Sequence, residues 1–188
     1  MNNLLHVLPS PIITERLILR RYIEEDARLL LEASARNREH FKEYESDNVI
    51  FEMKDLDSAI RIIRDLAAEW QKGVCFFAGI FSKDTEEFLG QIYIGLGNPT
   101  VPEFEIGYAA DIQHEGKGYI TESVTKIVEI LFNQIGAHRL SIECDDTNRR
   151  SIRVAERCGF KQEGHLRENK KHPDGRRTGT LLFARLKE

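Results

Sequence analysis

Cysteine is scarce in this chain. Three residues in 188, Cys75, Cys144 and Cys158, are an odd number and show no Cys-x-x-Cys spacing. That argues against a disulfide-framed secreted domain and for a reduced, cytoplasmic protein, with all three cysteines as small core residues. No apolar run approaches the roughly 18 residues that a membrane span needs. The opening, "MNNLLHVLPSPIITERLILR", lacks the basic start and apolar centre of a secretion signal, so no membrane partner is expected. A basic block able to grip a phosphate backbone is missing too. The most basic stretch, "ENKKHPDGRR" at 168–177, contains a Pro-Asp-Gly turn and reads as a hairpin tip, so nucleic acid is not an expected partner. No His, Cys and Asp grouping has metal-ligand spacing, and no metal is expected. Repeats, low-complexity tracts and flexible linkers are also lacking. One domain over residues 1–188, with its core at about 12–186, is the simplest organisation.

What is present describes a soluble globular protein: 41% hydrophobic and 31% charged residues, with a formal net charge of −4. The mild acidity suits a cationic substrate without requiring one. A first strand is expected at 16–22 and a helix at 24–37, followed by a charged stretch at 38–48 with Phe41 and Tyr44 embedded. Leu56, Ile60, Ile63, Leu66, Ala67 and Trp70 recur at helical spacing after Asp55, a capping residue. Strands follow at 75–81, 86–96 and 103–111, the first two joined by the turn "SKDTEE". Ile120, Val124, Ile127, Val128, Leu131 and Ile135 mark one face of the next helix. A strand at 138–144, a short helix at 148–158 stopped by Gly159, and a strand pair at 160–168 and 178–186 complete the chain. This order predicts an α/β or α+β fold, a mixed sheet with helices on both faces.

The chemistry concentrates in "FEIGYAADIQHEGKGYITES", residues 104–123. An alternating strand ends in Gln113-x-x-Gly116-x-Gly118, and a helix begins at Tyr119. The first N–H groups of a helix lack internal partners and carry partial positive charge, and glycines let an anion approach the bare backbone. A tight strand-to-helix turn with no ligand fits the glycines equally well. A Walker loop would need four residues between its glycines and then Lys-Ser/Thr. A dinucleotide fingerprint would need glycine where Thr121 stands, in a unit that opens the sheet. Both fail.

Together with "LSIECDDTNRRSIRVAERCGFKQEGHLRE" and the opening "ITERLILRRYIEEDARLLLE", this segment resembles the GNAT acetyltransferase superfamily. It is most similar to the branch of ribosomal-protein N-terminal alanine and serine acetyltransferases. The motif Q/R-x-x-G-x-G/A is matched by Gln113, Gly116 and Gly118, and a second block by Asn148-x-x-Ser151 and Gly159-Phe160. The resemblance implies a GNAT fold: a mixed, mostly antiparallel, twisted sheet of about seven strands, with helices on both faces and a splayed strand pair holding acetyl-CoA. It further implies that Ala110, Asp111, Ile112, Gln113, Gly116, Lys117, Gly118, Tyr119, Ile120 and Thr121 bind the cosubstrate. The backbone N–H groups of 116–121 would take the pyrophosphate. Lys117 and Gln113 could add side-chain contacts. A strand bulge would help the splay, and Asn148 and Ser151 would reach the pantetheine arm and sulfur.

Acetyl transfer needs a neutral amine, a stabilised thioester oxygen and a departing thiolate. A backbone N–H near Ile112 is the expected oxyanion donor. Ser151 is the expected group beside the sulfur; the tyrosine that many relatives place one turn later is replaced here by Ala155 and Glu156. Three carboxylates compete as proton acceptor: Glu143, Glu105 on the facing strand, and Glu168 near the last hairpin. His114, His138 and His172 are weaker candidates. Phe41 and Tyr44, with Glu43, Glu45 and Asp47, would form an ammonium-binding wall.

The resulting expectation is a cytoplasmic, acetyl-CoA-dependent N-acetyltransferase, monomeric or homodimeric, that transfers directly to a primary amine. The acceptor is a protein N-terminus, or else an amino acid, polyamine or antibiotic. A non-catalytic acyl-CoA-binding module is the reading from another class.

Overall fold

A computed structural model describes residues 8–44, 48–73, 75–98, 100–172 and 174–188; the side chains of Glu43, Phe51 and Glu52 are not described. Glu45 and Asp47 of the expected acceptor wall therefore fall outside the described residues.

In chain order the elements are β1 (Ile12–Ile13), β2 (Leu17–Arg21), α1 (Ala27–Tyr44), α2 (Leu56–Lys72), β3 (Cys75–Ser82), β4 (Phe88–Leu96) and β5 (Glu103–Ala110). They continue with α3 (Tyr119–Ile130), β6 (Arg139–Asp145), α4 (Arg149–Arg157), β7 (Lys161–Lys171) and β8 (Arg177–Leu186). The strands form one sheet in the order β1-β2-β3-β4-β5-β6-β8-β7. Every neighbouring pair is antiparallel except β5 and β6. The mixed, mostly antiparallel sheet expected from the sequence is thus present, with eight strands among the described residues because Ile12–Ile13 adds a short edge.

Two apolar cores lie against this sheet. One gathers Tyr22, Leu30, Ala33, Ile50, Met53 and Ile63 around α1 and α2. The larger gathers Ile92, Phe104, Val124, Ile127, Leu140 and Ala155 around α3 and α4. All six positions expected on the inner face of α3 and its extension are buried. Residues Leu131–Ile135 form a π turn that ends at Gly136, where φ is +81°.

Helix α1 corrects one boundary. The sequence suggests an end at Asn37, yet the helix continues to Tyr44. Leu30, Ala33, Asn37 and Phe41 follow one another at three- and four-residue steps and are all buried, so the inner stripe runs on through a polar residue. Helix α2 is capped as expected: Asp55 accepts the Ser58 N–H at 2.7 Å, and Gly73 closes the other end at φ +67°. Its inner face is rotated from the expected one. Ala59, Ile62 and Ile63 are buried, while Leu56 is exposed. Cys144 and Cys158 are buried as expected; Cys75 is only half-buried. Among the described residues no helix is long and apolar enough to cross a membrane.

Candidate active site

The site starts from a topological fact. Strands β5 and β6 pair only over Glu103–Glu105 and Arg139–Ser141, after which β6 follows β8 along its whole length. Arg139 pins the closed end, donating to Glu103 at 2.9 Å and reaching Glu163 as well. Beyond Glu105 the two strands part. Gly97 donates to Glu103 and Asp111 donates to Leu89, so the odd-numbered residues of β5 hydrogen-bond β4. By ladder alternation the even-numbered backbone groups, at Tyr108 and Ala110, aim into the opening. The register shifts in the sheet lie between β3 and β4 and between β7 and β8, so the expected bulge is not on the splayed pair.

The glycine loop closes the far end of β5. Gly116 and Gly118 have φ of +74° and +81°. A Cβ built on Gly116 meets nothing within 4 Å, and one on Gly118 meets only the Arg16 guanidinium at 3.6 Å. The glycines therefore answer a left-handed backbone and leave open space above it. Gly118 caps α3 with no side-chain oxygen, so the N–H groups of its first turn have no cap. Opposite stand Arg149, Arg150, Arg153 and Arg157 of α4. Together the two walls enclose a cavity of about 660 Å³, also lined by Ala110, Tyr119, Ile120, Thr121 and Asn148. Of the four arginines only Arg150 pairs with a carboxylate among the described residues, Glu115 at 2.5 Å. An uncapped helix start facing uncompensated arginines suits a polyanion such as the phosphates of CoA.

Four residues expected at this site lie elsewhere. Asp111 is fully buried beneath the loop, bound by Arg36 at 2.6 Å and Asn37 at 2.9 Å. Burial alone would raise its pKa, but these bonds and the Gln113 N–H outweigh that and hold it low. The Ile112 N–H, expected as oxyanion donor, is already committed to the Asn37 side chain at 2.8 Å, so that assignment is corrected. Gln113 and Lys117 do not line the cavity; the Lys117 ammonium lies 3.3 Å from His114.

A second cavity of about 530 Å³ adjoins the first and shares Tyr44, Tyr108 and Asn148 with it. Ser151 stands in its wall. The Ser151 N–H donates to the Asn148 cap at 3.1 Å, and the residue lines the cavity. That hydroxyl is 3.1 Å from the Tyr108 hydroxyl. Glu105 and Glu143 both line this cavity. Burial raises the Glu105 pKa, and the like charge of Glu143 raises it further. Glu168 is not brought in. It sits at φ +51° in the irregular stretch of β7, mostly exposed, with Arg177 at 3.6 Å. Phe41 is buried and lines the first cavity, which corrects its expected place in the acceptor wall; Tyr44 lines both.

Sequence reasoning missed several lining groups. Tyr108 follows Phe104 and Ile106 in period-two alternation and reads as a plain strand residue. The arginines of α4 are visible at four-residue spacing, at 149, 153 and 157. His172, a weaker candidate from the sequence, is not one of those missed; it is buried in the hairpin turn, its Nε2 at 3.1 Å from Asp145, which also accepts from Thr147 and Thr178. Burial would raise the Asp145 pKa, but these donors outweigh it and bring it to about 2.

Residues 16–161 match the model of the acetyltransferase (GNAT) domain. The chain is similar to the uncharacterized N-acetyltransferase YoaA of Bacillus subtilis (strain 168): 31% identical over 155 residues, covering 82% of this chain and 85% of that protein. It is also similar to the [ribosomal protein uS5]-alanine N-acetyltransferase of Escherichia coli (strain K12): 27% identical over 159 residues, 82% of this chain and 80% of that one. In fold it is similar to the microcin C7 self-immunity acetyltransferase MccE, solved with acetyl-CoA and AMP. The TM-score is 0.83 at 20% identity, over 97% of this chain and 99% of that one.

Proposed function

The chain belongs to the GNAT acetyltransferase family and is an N-acetyltransferase that uses acetyl-CoA, and on that premise we propose that it acetylates a primary amine directly, with protein N-terminal α-amines as its acceptors. The observation that carries this is the splay: two cavities adjoin it, and Tyr44, Tyr108 and Asn148 line both. Two substrates, one in each cavity, would meet there without a covalent enzyme intermediate. The buried Cys144 thiol beside Ser151 is pushed up to about 11 by burial, which argues against a cysteine relay.

Acetyl-CoA, when bound, supplies the activated acyl group and a thiolate of modest basicity as leaving group. The residues do the rest. The start of α3 and the α4 arginines hold phosphate charge. The edge of β5 offers backbone N–H groups to the arm and to the developing oxyanion. The Ser151 hydroxyl, with Tyr108 behind it, donates a hydrogen bond to the departing sulfur. Glu105, its basicity raised beside Glu143, accepts the ammonium proton, directly or through a water. An α-amine, with a pKa near 8, asks less of such a base than a lysine near 10.4. The likeness to the uS5-alanine acetyltransferase supports the same acceptor.

Thiol release from acetyl-CoA, measured with N-terminal peptides beside small amines, tests the reading. Peptide acceptors should give the higher kcat/KM, with the acetyl group on the α-nitrogen by mass spectrometry. Faster turnover of free amines would favour a small-molecule acceptor. Acetyl-CoA binding with no turnover across the panel would leave only a binding module.

A further inference from the structure

The cavity of about 530 Å³ carries charge of both signs, arranged along its length. Glu105 lies at the closed end of the splay, opposite Ser141, and Glu143 is two residues further along β6. Lys170 and Lys171 lie at the open end. They pair with Thr178 and Arg177 of β8, beyond Thr180, the residue opposite the last residue of β6, Asp145. Both lysines line the cavity, and the positive charge of Lys170 is felt at Cys144, inside it. Lys42 also lines it but is held by Glu39 at 2.6 Å. Asp145, the nearest acid on β6, is spent on Thr147, Thr178 and His172. Among the described residues no carboxylate pairs with Lys170 or Lys171.

Two uncompensated cations are an odd lining for a site meant only for an ammonium group. They would repel a polyamine or a lysine-rich acceptor. The cavity lining also includes the aromatic rings of Tyr44, Phe77 and Tyr93, the last two with ring centroids 4.9 Å apart. We propose that the acceptor is amphoteric: its amine lies at Glu105 and Glu143, and an anionic group of the same molecule lies at Lys170 and Lys171. This rests on the reading of this cavity as the acceptor site. A protein N-terminus with acidic residues just after its first carries that chemistry, and so does a free acidic amino acid.

The test is a set of matched acceptors assayed by thiol release. Peptides beginning Ser-Asp-Glu or Ala-Asp-Glu are compared with their Asn-Gln isosteres, and free aspartate and glutamate with asparagine and glutamine. The acidic member should have a kcat/KM about fivefold to tenfold higher. The advantage should shrink as salt rises from about 0.05 M to about 0.5 M. In Lys170→Glu/Lys171→Glu the ratio should fall to one or invert, with acetyl-CoA still raising Tm as the check on folding. A preference confined to peptides assigns the anion to a protein N-terminus; one shared by free amino acids assigns it to a small molecule; either supports the proposal. Equal or reversed preference in the wild type overturns it and leaves the transfer reading standing. Absence of turnover with every acceptor overturns both.

Discussion

The side-chain carbonyl of Asn37, in the middle of α1, accepts the backbone N–H of Ile112 at 2.8 Å, at the entrance to the glycine loop. The same amide donates to Asp111 at 2.9 Å and to the Ala33 carbonyl at 2.8 Å, and the residue is fully buried. Two further α1 residues hold the loop: Arg36 through Asp111, and His40 through Glu115 at 3.0 Å. Helix α1 therefore fixes the glycine loop, while Lys42 and Tyr44 near its end line the cavity of about 530 Å³.

Asn37→Ala should raise the Kd and KM for acetyl-CoA about tenfold. It leaves the Ile112 N–H and Asp111 each short of a buried partner, at a cost of about 1–3 kcal/mol. Calorimetric titration with CoA, beside a denaturation curve, separates the two effects. Lost stability with unchanged affinity would make Asn37 a core residue only.

Gly118→Val should raise the acetyl-CoA KM at least tenfold. The left-handed backbone at φ +81° costs a branched residue about 1–2 kcal/mol, and the added side chain projects into open space. Gly136 is the matched control. It has the same φ of +81°, and a Cβ there meets nothing within 4 Å, but it lies past the far end of α3. Gly136→Val should lower Tm without moving KM. If both variants shift KM alike, the effect is strain and the cradle loses its support.

Ser151→Ala should lower kcat by about tenfold with little change in the acetyl-CoA KM, a smaller loss than for a full general acid because the thiolate leaves readily. The helix start should be undisturbed, since the Asn148 cap receives the Ser151 N–H and not its hydroxyl. Tyr108→Phe removes the hydroxyl 3.1 Å behind it and should produce a milder loss of the same kind. Retained kcat in both variants would reduce the pair to local structure.

The order of elements was legible because hydrophobic period marks it directly, as in the six buried positions of α3 and its extension. The glycine motif located the loop, since few backbones need two left-handed glycines before a helix. Helix α1 was cut short because Asn37 interrupts an apolar stripe, and only the folded chain shows that its amide is satisfied by the loop. The oxyanion assignment to Ile112 failed for the same reason: a hydrogen bond across 75 positions leaves no local trace. Glu168 was misplaced because an irregular strand carries it out of the cleft. The lysine pair looked like an exposed hairpin end, and that hairpin's contribution to a cavity is a tertiary fact.

The pH dependence should expose the carboxylate pair. Burial and the charge of Glu143 raise the Glu105 pKa, so the acid limb of kcat/KM should lie above the usual glutamate value near 4.3. Glu143→Gln removes the like charge, and that limb should move to lower pH. An acceptor's own ionisation is common to both proteins and cancels in the comparison. Stability supplies the converse sign. A carboxylate whose folded-state pKa is raised favours the folded state below its unfolded pKa, and that contribution is lost as pH rises through the raised value. At neutral pH Glu143→Gln should therefore raise Tm, relieving repulsion between two ionised groups. Glu105→Gln should do the same while lowering kcat by about a hundredfold, if this carboxylate takes the proton. An acid limb that ignores Glu143→Gln, with full activity in Glu105→Gln, would remove the pair from the chemistry.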